Sequence, residues 1–224
     1  MISCNKLKVL LCYNIMSLLN DKYLFVHINK SGGGVITNNF TQNGNTKLTG
    51  VHRSLNDMLK IAKVTYNINT DKLFIFTIVR NPYERMLSMY LFYHKNNFNS
   101  PEFFSGDSDI DNDFNNWVKY IYSDNFDRNR RHSGVNIFKY CFCNQLNWLK
   151  DDNGNLIKVD KILRHEKHEY DELFANILKL SKYDTKTMVH PTKHTHYSDY
   201  YNDLSIKLVT KHYKEDLEYF QYNF

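Results

Sequence analysis

Tyr23 to Phe40 limits the folds open to this chain more than any other stretch. Tyr23-Leu24-Phe25-Val26-His27-Ile28 is aliphatic, aromatic or β-branched apart from one His, and it reads as a buried strand. Asn29-Lys30-Ser31-Gly32-Gly33-Gly34 follows. Three of the chain's eight glycines fall there in a row, as expected where a backbone must bend sharply or approach a ligand closely. A helix can start near Val35. Strand, glycine turn and helix start together form an arrangement that cradles phosphate, because free backbone N–H groups and the positive helix end point at one spot. Lys30 and Ser31 add a cation and a hydroxyl. The order differs from the Walker A loop, since the Lys-Ser pair precedes the glycines, and it is not Gly-x-Gly-x-x-Gly either. Alone, the loop leaves two readings open: a phosphate site, or a glycine-rich turn with an exposed Lys.

The 224 residues suit one α/β domain, and 42% apolar content with 15% aromatics supports a core. A net charge of +5 suits an anionic ligand without demanding nucleic acid. Cys4, Cys12, Cys141 and Cys143 lack zinc or redox spacing, so reduced thiols are expected. Lys8 to Leu19 is too short and too interrupted for a membrane span, and it carries no small-residue cleavage site. A helical extension over residues 1–20, packed on a single domain 1–224, is the expectation, with a cytoplasmic location.

Further along, Ser54 caps a helical pattern through Leu55, Met58, Leu59 and Ala62, with His52 and Arg53 just ahead of it. Leu73 to Val79 is the strongest strand and reads as central and parallel. It runs into Arg80-Asn81-Pro82-Tyr83-Glu84-Arg85, where Asn81 suits an N-cap, Pro82 the first helical position and Glu84 a capping box. Arg80 therefore stands at a strand's C-terminal end, where open α/β sheets bind ligands, and Ser88 lies two turns into the helix. Asn96 to Asp113 reads as a surface loop and Phe114 to Tyr122 as a helix. Arg128, Arg130 and Arg131 form a basic cluster that is either a solvated loop or a contact for an anionic acceptor. Val159 to Leu163 is a short strand, Glu169 to Leu180 a helix, and Tyr200 to Tyr222 one long amphipathic helix. The alternation predicts a mostly parallel central sheet flanked by helices.

These residues resemble a family. His27 to Gly34 is similar to the 5′-phosphosulfate loop of the sulfotransferases, Pro-Lys-Thr-Gly-Gly-Thr, and Phe76 to Arg85 with Ser88 and Tyr90 is similar to their 3′-phosphate motif. Gln145 to Leu149, Gly154, Val159 to Glu166, and an ending with Tyr213, Asp216 and Phe220-Gln221-Tyr222 resemble the carbohydrate O-sulfotransferase branch. Asn29 replaces the usual Pro, while Ser31 and Gly34 replace Thr; losing the second hydroxyl removes about 1 kcal/mol of donor binding.

The resemblance implies a P-loop-type three-layer sandwich and 3′-phosphoadenylyl sulfate as sulfuryl donor, with no metal. It implies that Lys30, Ser31, Gly32, Gly33, Gly34 and Val35 hold the 5′-phosphosulfate and that Arg80 and Ser88 hold the 3′-phosphate. Lys30 would neutralise the leaving group, and His52 would be the base, as a Gly-x-His element is in related enzymes. The branch points to a sugar hydroxyl, with small alcohols and tyrosine also open. The missing anchor and stem of Golgi members point to a soluble enzyme. His190, His194 and His196 lack matched Cys or carboxylate partners for a metal, and the Thr195-His196 region resembles a loop near the nucleotide. The competing readings are a P-loop kinase and a catalytically inactive nucleotide- or glycan-binding module; a nucleic-acid binder is disfavoured by the modest charge.

Overall fold

Six consecutive apolar or β-branched residues make Phe74–Val79 a strand that can be buried on both faces, and the rest of a sheet is built around it. The structure, a computed structural model, describes residues 17–44, 46–47, 52–95, 101–132, 135–186 and 194–224. Its strands are β1 (Leu18–Leu19), β2 (Tyr23–Val26), β3 (Thr46–Lys47), β4 (Phe74–Val79), β5 (Arg131–His132), β6 (Val135–Asn136) and β7 (Lys161–Arg164). By contact the chain falls into two units, Met1–Val79 with Trp148–Val189 and Arg80–Asn147 with His190–Phe224.

The first unit holds the five-stranded sheet, in the order β3-β1-β2-β4-β7. Pairing is parallel for β2 with β4 and for β4 with β7, and antiparallel at the β1 and β3 edge. Asn20 and Asp21, both near φ 53°, make the left-handed turn between β1 and β2 that the twist of a tight hairpin demands. The α-helices of this unit among the described residues are α1 (Gly34–Gln42) and α2 (Leu55–Tyr66). Ser54 caps α2 as predicted, its side chain accepting from the Asp57 N–H. Phe25, Phe76 and Ile78 share one face of the sheet and pack with Val35, Ile36 and Phe40 of α1 and with Leu173 and Phe174. Leu24, Val26, Thr77 and Val79, pointing the other way, are also buried, so the parallel strands are covered on both faces. The helix expected over Glu169 to Leu180 is a π-helix at Glu172–Ile177. Of the expected N-terminal helix, residues 1–16 lie outside the described residues, and Leu18–Leu19 is a strand.

The second unit is mostly helical: α3 (Pro82–Lys95), α4 (Phe114–Ile121), α5 (Asp203–His212) and α6 (Lys214–Phe220) surround an aromatic core. The long C-terminal helix expected from periodicity is broken at Tyr213, which is buried and donates its hydroxyl to the Cys141 carbonyl at 2.6 Å. The described part of the expected 96–113 loop is built too. Pro101–Phe103 and Ser108–Asp111 are short helical turns, and Phe103 is buried, stacked on Tyr93 at 3.7 Å with its carbonyl accepting from Trp117 Nε1.

Candidate active site

In the first unit, the turn from Asn29 to Gly33 connects β2 to α1. Lys30 sits in the left-handed region at φ 58°, which for a residue with a Cβ costs of order 1 kcal/mol and calls for a compensating reason. Ser31 is fully buried, and its hydroxyl donates to the Ile28 carbonyl at 2.6 Å. The hydroxyl thus shapes the turn, and an anion would meet Ser31 through its backbone N–H. Gly32, at φ 90°, is in a conformation that favours glycine, and a Cβ there would run into the His165 ring and come within 3.2 Å of the Tyr170 hydroxyl. A Cβ on Gly33 would collide with the His27 ring and lie 2.8 Å from Phe25 Cζ. Two histidines therefore wall the glycine turn. In the sequence His27 falls inside the apolar Tyr23 to Ile28 run and His165 inside the Val159 to Glu166 stretch, and neither has a local pattern that marks it.

Gly33 caps α1 without a side-chain hydrogen bond, and the first turn of α1 carries no acid, so the positive end of the helix is left for an anion from outside the helix. Gly34 and Val35 are its first two residues.

His52 reaches this turn from just before α2. Its Nδ1 donates to the His27 carbonyl oxygen at 3.0 Å, and its ring meets those of His27 at 4.7 Å and Trp148 at 5.9 Å. A carbonyl can only accept, so the proton of a neutral His52 is on Nδ1 and its lone pair on Nε2, the arrangement a general base requires. Gly50 and Val51, which precede it in the expected Gly-x-His element, lie outside the described residues. The His27 imidazole is held well below its ordinary range by burial, then by His52 and by Lys30, and its Nδ1 is buried with no hydrogen-bond partner among the described residues. His27 is therefore neutral at pH 7, and His52 is the one whose tautomer a hydrogen bond to a carbonyl fixes.

In the second unit, Arg80 follows directly on Val79, the last residue of β4. Asn81 caps α3 as predicted, its side chain accepting from the Tyr83 N–H at 3.0 Å. The Glu84 carboxylate takes the Arg80 guanidinium, Nη2 to Oε1 at 2.7 Å. Ser88 lies on α3 and is 2% exposed. Arg80's backbone is held on both sides by one side chain: its N–H donates to Gln145 Oε1 at 3.0 Å, and Gln145 Nε2 donates to its carbonyl at 2.9 Å. Gln145 in turn meets the buried Asp216. In the sequence these two residues stand out only as letters of a resemblance.

A family model described as the sulfotransferase family matches residues 13–223. The chain belongs to the sulfotransferase family. Searches of curated proteins and of solved structures return no match. Membership makes sulfuryl transfer the chemistry to test, and both motif regions fall inside the matched span. Of the basic cluster in this sulfotransferase, Arg130 is engaged internally, donating to the Glu102 and Phe104 carbonyls. Arg128 and Arg131 are exposed, with Arg128 over the Phe138 ring at 4.8 Å. Among the described residues no cluster of His, Cys, Asp and Glu could hold a metal; His190 lies outside them, and His196 caps the turn Tyr197–Tyr200. No helix among the described residues is long and apolar enough to cross a membrane.

Proposed function

We propose that this chain transfers a sulfuryl group from 3′-phosphoadenylyl sulfate to an acceptor hydroxyl, on a carbohydrate, within a P-loop-type three-layer fold. The observation that carries the reading is the glycine turn at the start of α1. There Gly32 and Gly33 leave no room for a Cβ, Lys30 is adjacent, and His52 is tethered to the same turn through the His27 carbonyl. The donor, when bound, supplies an activated sulfur whose leaving group is a phosphate oxygen. Backbone N–H groups from Ser31 to Val35 hold the phosphosulfate at the helix end. Arg80 and Ser88 hold the 3′-phosphate, Arg80 as a forked donor shared with Glu84. The acceptor oxygen bonds to sulfur as the bond from sulfur to the bridging oxygen breaks. The acceptor proton passes to Nε2 of His52, and Lys30 neutralises the charge left on the departing oxygen. Arg128 and Arg131 suit an acceptor that is already anionic.

Calorimetric titration with 3′-phosphoadenosine 5′-phosphate tests the donor site. Micromolar binding is expected, weakened about a hundredfold in Arg80→Ala, with ATP and Mg²⁺ binding poorly. Folded wild-type protein that ignores the bisphosphate, or that prefers ATP, overturns the assignment. For the base, His52→Ala should lower kcat about a hundredfold while bisphosphate affinity stays within about twofold. A variant that keeps wild-type turnover removes His52 from the chemistry.

A further inference from the structure

The Arg80 backbone in the proposed 3′-phosphate grip is held on both sides by one uncharged side chain, and that side chain is itself pinned. Gln145 is fully buried. Its Oε1 accepts from Arg80 N–H, one Nε2 hydrogen goes to the Arg80 carbonyl at 2.9 Å, and the other goes to Asp216 Oδ2 at 3.1 Å. Every donor and acceptor of the amide is thus assigned, so the amide cannot flip without losing bonds at both ends. Asp216, also fully buried, accepts from the Gln145 N–H at 2.6 Å and the Leu146 N–H at 3.0 Å, and its own N–H donates to Asn144 Oδ1. The Arg80 side chain leaves a backbone that is fixed where it enters α3, and its guanidinium is steadied at the far end by Glu84.

We propose that Gln145 and Asp216 are positioning residues that set the direction of Arg80 and through it the affinity for a phosphate monoester on the donor. This rests on the reading of Arg80 as the 3′-phosphate residue. It carries a pH dependence with a definite sign. Burial pushes the Asp216 carboxyl up to about 6, opposed by hydrogen bonds from Gln145 and Leu146 and by the nearby Arg85 guanidinium; the Tyr213 phenol and Cys143 thiol face the same region and are neutral at this pH. Protonation would turn one carboxylate acceptor into a donor opposite N–H groups. Acidification through about pH 6 therefore loosens the clamp.

The test is calorimetry with 3′-phosphoadenosine 5′-phosphate on the full chain, comparing wild type, Gln145→Leu, Arg80→Ala and the double variant, with Gln145→Asn and Asp216→Asn as milder probes if Gln145→Leu fails to fold. Gln145→Leu should weaken binding about tenfold when Arg80 is present and less than about twofold in Arg80→Ala. Amide hydrogen exchange should show the Arg80 N–H losing protection in Gln145→Leu while amides inside α3 keep theirs. Between pH 7.5 and 5.5 the wild type should lose more affinity than Asp216→Asn, a difference that cancels the titration of the ligand's own phosphate. An equal loss in both Arg80 backgrounds, or an Arg80 N–H that stays protected, overturns the proposal. An Arg80→Ala variant that binds as wild type does instead sinks the phosphate role of Arg80, and the exchange measurement still decides on the clamp.

Discussion

Lys30→Ala should lower kcat about a thousandfold and weaken the binding of 3′-phosphoadenosine 5′-phosphate about tenfold. The bisphosphate is the leaving group of the proposed reaction, and the oxygen that bridged to sulfur carries its full charge there. In the proposed role Lys30 meets that charge as it develops, so its loss is felt in the transition state and in the bisphosphate complex more than in the donor ground state. The left-handed backbone at φ 58° costs of order 1 kcal/mol for Lys and Ala alike, since both carry a Cβ. Lys30→Gly separates the two effects, since glycine adopts this conformation freely. Both variants should be equally slow in single-turnover assays, with Lys30→Ala, which keeps the Cβ, melting near the wild-type temperature. Turnover by Lys30→Gly within about tenfold of wild type would take Lys30 out of catalysis.

Arg85→Ala should destabilise the protein by about 3 kcal/mol or more. Arg85 is fully buried in the second unit and donates to the Cys141 and Tyr140 carbonyls and to the Tyr213 hydroxyl, at 3.2, 2.9 and 3.3 Å. Its loss strips those acceptors and also takes away a cation that favours the buried Asp216 carboxylate. The pH dependence follows from Asp216. Its folded value, about 6 against an ordinary 3.8, is raised, so its contribution to stability is complete below about pH 4 and is lost as pH rises to about 6. Without Arg85 the carboxyl rises further, so the penalty of Arg85→Ala should be larger at pH 7.5 than at pH 4.5. Urea unfolding at the two pH values measures this; a variant within about 1 kcal/mol of wild type at pH 7.5 would show that Arg85 contributes little.

Local signals made much of this legible in the sequence. Hydrophobic runs flanked by Gly, Asn and Pro marked β2, the glycine turn, β4 and the start of α3, because each is decided by the residues it contains. The break at Tyr213 was not legible: Asp203 to Phe220 holds no Gly or Pro, and the helical period runs straight through. At the break the buried Tyr213 hydroxyl is bonded to the carbonyl of Cys141, a residue far away in the chain. The Phe103 anchor was hidden for the same reason, since its neighbours are polar and its partners, Tyr93 and Trp117, lie in other elements. Among the candidate residues, Lys30, Arg80 and His52 could be named from motif and position. That His27 and His165 wall the glycines, and that Gln145 holds Arg80, depends on pairings between distant residues, on which composition and spacing are silent.

The walls of the glycine turn bear on how such a chain can change over time. Gly33 and His27 occupy one volume between them, as do Gly32 and His165. A side chain gained at either glycine must be met by atoms given up at its histidine, so lineages should drift at these positions in pairs. Gly33 has a φ of −63° that is open to any residue, so packing alone restrains it, with Phe25 Cζ 2.8 Å from a Cβ there even after His27 gives way. Gly32 carries a second restraint in its positive φ, which no shrinkage of His165 relieves, and it should therefore be the last residue of the loop to vary.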